Sequence, residues 1–406
     1  MIIKPIKTKS RLSRINIVFK SGSKVEFGTR FKFGTAHMLE HMMFKGTEKR
    51  SSIDISREYA EIGAMVNAFT SHNEICFEMT VMTEYLERAL DIFSDMILNA
   101  TLPEEEFEKE RLVVMQEEES HADDINSFFA DYEFETMIDG YLSKTVIGYK
   151  ESIESITLEE LRSFKNRFLD ISMATICIAS SMSKKDAKNT IQKYFGKASG
   201  RVKSGPKLEK NVFKEPKEFF IERSDISHNY VDIIYPAFER GNDKSMPLAI
   251  AASILGGGMD SRLFEIVREK HGLVYSIHAN RIELSELGFF NISFSCSKDN
   301  VEKVMTLIDK AIEDVMDNGF TETELNNAKI SSKMFLCEVD ENESYVVSNK
   351  MKSEIYGYKT YKEKFEILEN TSLDDVNKVS EEVLGQDRFV FVFGKTEEEE
   401  DYAEPL

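Results

Sequence analysis

Three residues in one short stretch, His37, Glu40 and His41 within FGTAHMLEHMMFKGT (residues 33–47), have the types and the spacing to do chemistry. The chain holds only seven histidines in 406 residues, yet two of them stand four positions apart with a glutamate just before the second. On a helix, His37 and His41 lie one turn apart and project from the same face. Two imidazoles so placed can hold one zinc ion and leave Glu40 beside it. A carboxylate there can take a proton from a metal-bound water, whose pKa falls to about 7. The plain alternative is a helix with two core or cap histidines, a pattern that chance supplies in about one such chain in a hundred. Two histidines do not complete a catalytic site, because zinc generally takes three protein ligands and a water. A third ligand has to come from elsewhere.

The stretch EEFEKERLVVMQEEESHADD, after Pro103, predicts a second helix. Glu110, Val114, Glu117 and His121 fall near one face of it, at spacings of three and four. On the residues alone this is an acidic helix with solvated carboxylates, and it offers several ligand candidates without choosing between them.

These helices need a frame. At 406 residues the chain is too long for one ordinary core, so two domains or more are expected. GKASGRVKSGPKLEKNVFKEPKE reads as a linker near the middle and divides the chain into 1–198, a linker over 199–215, and 216–406. The halves read alike. Each opens with a strand (SRINIVFKSG; HNYVDIIYPAF) and continues into a helix (GTAHMLEHMMF; SMPLAIAASILGG). An alternating strand follows (AMVNAFTSHNEICFEMTVM; GFFNISFSCS), then long charged helices. A capped acidic helix (TLEELRSFKNRF; SLDDVNKVSEEVL) and a closing strand (MATICIAS; RFVFVFG) end each half. A duplicated α+β unit is the simplest account.

Composition bounds the rest. With 41% hydrophobic and 31% charged residues the chain is globular, and it has no run of eighteen apolar residues to cross a membrane. Its start reads as an opening strand rather than a signal peptide. Cys76, Cys177, Cys296 and Cys337 lie far apart in apolar runs, which predicts buried, reduced thiols and a cytoplasmic location. A net charge of −20 argues against nucleic acid and anionic membranes. It would favour basic peptides if the acids line a cavity, but a solvated surface, including the tail KTEEEEDYAEPL, accounts for it equally well.

On these stretches the chain resembles the HxxEH zinc metallopeptidases, the M16 family of insulin-degrading enzyme, pitrilysin and the mitochondrial processing peptidase. HxxEH inverts the commoner HExxH zinc motif. The family pairs it with a glutamate some seventy-odd residues on, inside E-R-x-V-x-x-x-E, and here ERLVVMQE spans Glu110 to Glu117. The resemblance implies one zinc per chain on His37, His41 and Glu117, Glu40 as general base, and Glu110 as an outer carboxylate tuning the site. Glu118 and Glu119 would point elsewhere on the helix, and His121 stays open as a competing ligand.

NAFTS (67–71) resembles the family's active-site strand, which implies that Asn67, Ala68 and Phe69 bind substrate as an added β-strand through the backbone. GGGMDSRLFEIVREKHGLVYS (256–276) resembles the signature of the second domain, in which an arginine and a tyrosine reach the substrate, here Arg268 and Tyr275. On the residues alone the glycines are a helix stop, not a phosphate loop, and Arg268 is a solvated helix residue. IGYKESIESIT (147–157) resembles the family's loop and helix cap after its third helix. A short N-terminal strand region and Ala64, where many relatives have glycine, are departures away from the metal residues. The resemblance implies two α/β-roll domains arranged like a clam, each a mostly antiparallel sheet packed with helices. It also implies an endopeptidase for unfolded or presequence-like peptides, acting in a chamber between the domains as a homodimer or beside an inactive homologue. A non-catalytic subunit of the same fold is the rival expectation.

Overall fold

The computed structural model describes residues 1–197, 208, 210–223 and 225–394. Most of the expected linker (199–207 and 209) and the acidic tail (395–406) lie outside the described residues. The chain divides into two units, Met1–Lys210 with Asn342–Tyr358, and Asn211–Glu341 with the chain from Lys359.

In the first unit β1 (Ile2–Lys7) and β2 (Leu12–Phe19) precede α1 (Thr35–Met42), α2 (Ser52–Glu61), β3 (Met65–Thr70) and β4 (Ile75–Met82). Next come α3 (Leu86–Asn99), α4 (Glu104–Asp123), α5 (Ile125–Met137), the two-residue β5 (Ile138–Asp139), α6 (Lys150–Ser155), α7 (Leu158–Phe168), β6 (Thr175–Ser180) and α8 (Lys184–Phe195). Ser51, Thr157 and Ser183 start α2, α7 and α8 by accepting a backbone N–H, and of these the cap at Thr157 is the one expected from the sequence. The long alternating segment expected as one strand is a hairpin, β3 and β4, turning at Ser71–Glu74. Ser71 N–H donates to Glu74 O at 2.8 Å and closes it.

The second unit repeats the plan with β7 (Val212–Phe213), β8 (Glu218–Glu222), β9 (Asn229–Ala237), α9 (Ser245–Gly256), β10 (Ile277–Glu283), β11 (Gly288–Cys296), α10 (Val301–Asn318) and α11 (Glu322–Glu341). After α12 (Glu343–Tyr356), which groups with the first unit, it ends with α13 (Tyr361–Asn370), α14 (Leu373–Leu384) and β12 (Phe389–Gly394). The sheet orders are β1-β6-β2-β4-β3 and β8-β12-β9-β11-β10, so the two correspond strand for strand. In each, the first pair is parallel and the others antiparallel. The fold is α+β and duplicated.

Ile15, Ile17, Phe77, Met79, Ile176 and Ile178 line one face of the first sheet and form a core with Met38, Leu39 and Met42 of α1 and Leu90 and Phe93 of α3. Val18, Cys76, Cys177 and Ala179 line the opposite face, which α12 covers with Val347, Met351 and Ile355. Covered on both sides, β6 has all six residues buried, whereas β2 and β4 keep the half-buried Arg14, Asn16 and Glu78 between buried residues. The three α12 side chains repeat every four residues on one stripe, and burying each contributes about 1.5–3 kcal/mol. This helix departs from the expectation that all of 216–406 forms the second domain. Cys337 is exposed on α11, unlike the other three cysteines, which are buried as expected. Among the described residues no helix is long and apolar enough to cross a membrane.

Candidate metal centre

The start of α1 is set by its neighbours. Gly34 adopts φ +92°, and a Cβ there would lie 2.4 Å from the Ile147 carbonyl oxygen, so only glycine fits. The cap comes from Glu26, whose carboxylate accepts the N–H groups of Gly34 at 3.0 Å and Ala36 at 2.6 Å. Burial pushes its carboxyl up to about 8, against those two donors. After α1 the chain is stitched to the α3–α4 junction. Thr47 bridges Ala100, and Gly46 O accepts Thr101 N–H at 3.1 Å. These contacts bring α1 and α4 together although their key residues are far apart in sequence.

Four residues of ERLVVMQE then have a physical task, whereas the motif's fixed valine, Val113, is exposed. The Glu110 carboxylate accepts from His41 Nδ1 at 2.9 Å and from Lys45 Nζ at 2.5 Å. Arg111 donates to the carbonyls of Ile153, Glu154 and Ile156 at 2.8, 2.9 and 2.9 Å, closing the end of α6. Val114 is fully buried in the core, and Glu117 faces the histidines.

His37 Nε2 lies 3.7 Å from Glu117 Oε1, and His41 Nε2 lies 3.4 Å from Glu117 Oε2. One ligand atom from each of His37, His41 and Glu117 falls within 4.8 Å of the others. Ligand atoms about 2.1 Å from one tetrahedral zinc sit about 3.4 Å apart, so the donor set fits that ion with small adjustment. Protonation fits as well. Burial first, and then the charge of His41, pushes His37 down to about 3, which keeps its imidazole neutral. Burial alone would lower His41 too. The hydrogen bond that His41 donates to Glu110 and the charges of Glu40, Glu117 and Glu110 outweigh burial and leave it raised. With Nδ1 donating to Glu110, His41 presents Nε2 to a metal. His37 Nδ1 is buried without a hydrogen-bond partner among the described residues. Burial raises the Glu40 carboxyl, against a hydrogen bond from Thr70 Oγ1 at 2.7 Å.

His121 is engaged elsewhere, with Nε2 2.9 Å from Asp131 Oδ2, and it is not part of the converging group. Glu119 pairs with Lys150 at 3.1 Å.

Residues 2–141 match the family model described as insulinase (peptidase family M16), and residues 155–332 match the peptidase M16 inactive domain. The chain belongs to peptidase family M16. It is 28% identical to the uncharacterized zinc protease YmxG of Bacillus subtilis, over 87% of this chain and 86% of that one. An uncharacterized zinc protease of Rickettsia bellii is 26% identical, over 94% and 92%. In fold, the chain is similar to a peptidase M16 inactive domain of Pseudomonas fluorescens (TM-score 0.85, 17% identity, 97% and 95% covered). A protease of Helicobacter pylori is similar too (TM-score 0.81, 18% identity, 97% and 96% covered).

In this M16 chain the histidines open onto a cavity of about 560 Å³. Glu40, Glu110, Glu117 and Lys45 supply its polar wall, and Phe44, Phe69, Val146 and Ile147 its apolar one. Asn67, Ala68 and Phe69 line it from β3, which is the edge of its sheet and, among the described residues, pairs only with β4. Arg268 and Tyr275 belong to the second unit. Arg268 sits in a π-helical turn, Phe264–Lys270, that sequence periodicity does not foretell. Its guanidinium lies over the rings of Phe264 (4.7 Å) and Tyr275 (5.6 Å), and Tyr275 is 84% exposed. The glycines before it do end α9, and Gly256 packs so closely on β10 that a Cβ there would lie 2.4 Å from Ala279 N.

Sequence reasoning gave no role to Glu26, Lys45, Thr70 or Arg111, although Thr70 lies within NAFTS and Arg111 within ERLVVMQE. Glu26 and Lys45 flank the histidine motif at short range, but nothing in their spacing tells which carboxylate caps a helix or which lysine pairs with Glu110.

Proposed function

We propose that this M16 chain is a zinc endopeptidase that cleaves extended peptides. The carrying observation is the convergence of His37, His41 and Glu117 beside a buried Glu40, in a cavity whose wall is the sheet-edge strand β3. His37, His41 and Glu117 would hold the ion. When bound, zinc supplies Lewis acidity, polarising the scissile carbonyl and acidifying a water. The work of the chain is then the following. His37 stays neutral through burial, and His41 is oriented by Glu110, so both imidazoles offer a lone pair. Glu40 accepts the proton of the attacking water and returns it to the leaving amine, and the raised carboxyl suits a group that must take up a proton and give it back near neutral pH. The unpaired edge of β3 binds an extended substrate by main-chain hydrogen bonds, which reads backbone rather than side-chain identity. A folded protein cannot present such a strand, so short or unfolded peptides are the expected substrates.

The alternative is a subunit that is silent by itself or needs an inactive homologue as partner. The complete donor set favours the enzyme. Purified protein assayed for zinc and for cleavage of a peptide library, with and without chelator, tests the reading, together with Glu40→Gln. That variant keeps a hydrogen-bond acceptor but loses the base, so it should retain zinc while cleavage drops by at least about a hundredfold. Wild-type rates in Glu40→Gln, or a wild-type chain that binds no zinc, would refute the proposal.

A further inference from the structure

Val66, Ala68 and Thr70 are half-buried on β3 and alternate with the exposed Met65, Asn67 and Phe69. Alternate side chains share a face, so Thr70 is the polar member of an otherwise small and apolar row. Its hydroxyl does not return to the backbone. It donates to Glu40 Oε2 at 2.7 Å, from an element that is otherwise remote in sequence. Among the described residues it is the only hydrogen-bond donor to that carboxylate, which is 8% exposed. Among the described residues Glu40 Oε1 has no hydrogen-bond donor.

We infer that Thr70 is a positioning residue for Glu40, holding one carboxylate oxygen so that the other is free, in a fixed orientation, to exchange a proton. The inference rests on the proposed role of Glu40 as general base. A long glutamate side chain loses rotamer freedom when fixed, and proton transfer requires that the group be fixed within hydrogen-bond reach. The anchor is itself rigid. Thr70 is β-branched, with a restricted χ1, and it is paired with Ile75 across the hairpin. The turn that follows is closed by Ser71 Oγ, which accepts Glu74 N–H at 3.2 Å. Glu74 in turn accepts a hydrogen bond from Tyr356 of α12 at 2.5 Å. The hydroxyl therefore comes from a braced strand end rather than a mobile loop.

The test compares Thr70→Val, which keeps the shape and removes the hydroxyl, with Thr70→Ser, which keeps the hydroxyl. In the zinc-loaded full chain, Thr70→Val should lower kcat about tenfold or more, with KM and zinc affinity within about twofold of wild type. Thr70→Ser should recover most of the loss. In a Glu40→Gln background Thr70→Val should add nothing, because its partner's function is already gone. A crystal structure of zinc-free Thr70→Val should show the Glu40 carboxylate turned away or split between rotamers, a readout independent of turnover. An unchanged kcat overturns the inference, as does a loss that Thr70→Ser fails to restore, an additive loss in the Glu40→Gln background, or an unmoved Glu40. If the wild-type chain cleaves no peptide, the endopeptidase reading fails instead, and the Glu40 conformation still decides whether Thr70 holds it.

Discussion

Glu110→Gln isolates what an outer carboxylate does for the metal centre. The amide can still accept from His41 Nδ1, but it carries no charge, and its NH₂ group would face Lys45, which now lies 2.5 Å from Oε2. Burial raises the Glu110 carboxyl, but the hydrogen bonds and charges of His41 and Lys45 outweigh burial and hold it below the usual range, so it is ionised when it supports His41. A hydrogen bond to a charged group contributes about 1.5–3 kcal/mol, and changing such a partner typically costs about 10- to 100-fold in metal affinity. The Glu110 side chain is only 9% exposed, so water screens it little, and the upper half of that range applies. We expect zinc to bind about 30- to 100-fold more weakly, roughly 2–2.7 kcal/mol, measured by competition with a chelator. Glu108→Gln is the control. Its side chain is 62% exposed and pairs with Arg111 on the same helix, so zinc affinity should stay within about twofold. If Glu110→Gln binds zinc as tightly as that control, the hydrogen bond from His41 does not tune the metal and the reasoning fails.

Glu117→Gln should lose bound zinc while His121→Asn keeps one per chain, by elemental analysis; the reverse would move the third ligand to His121. Zinc retention should fall as pH drops, beginning above the ordinary imidazole value of about 6.5, because a proton competes for His41 while His37 stays neutral down to about 3. A plot of log Kd against pH should then have a slope near one over that window, and a slope near two would show that both imidazoles titrate. A bound Zn²⁺ and Lys45 would balance the three carboxylates that line the cavity, so matched basic and acidic peptides should be cut at similar rates at low salt. A strong preference for basic peptides that fades as salt is added would show that acidic residues outside the cavity, part of the net charge of −20, select the substrate.

Much of this site could be read from the sequence because its demands are local. His37, Glu40 and His41 sit within one and a half helical turns, so helix geometry alone places both imidazoles on one face. Glu110, Val114 and Glu117 obey the same period, and the second half repeats the strand and helix order of the first, as the matching sheets bear out. The α12 boundary was not legible, because a stripe of Val347, Met351 and Ile355 says that a helix has an apolar side but not which sheet it covers. Nor could periodicity show the π-helical turn at Arg268, where the chain leaves the 3.6-residue repeat on which such reading depends. The choice of Glu117 over His121 was also tertiary. Both lie near one face of α4, but Asp131 takes the histidine, while the link from Thr47 to Ala100 sets α4 against α1 so that the glutamate meets His37 and His41. A sequence carries the spacing of groups along one element; the distance between groups on two elements is fixed only when packing decides how those elements meet.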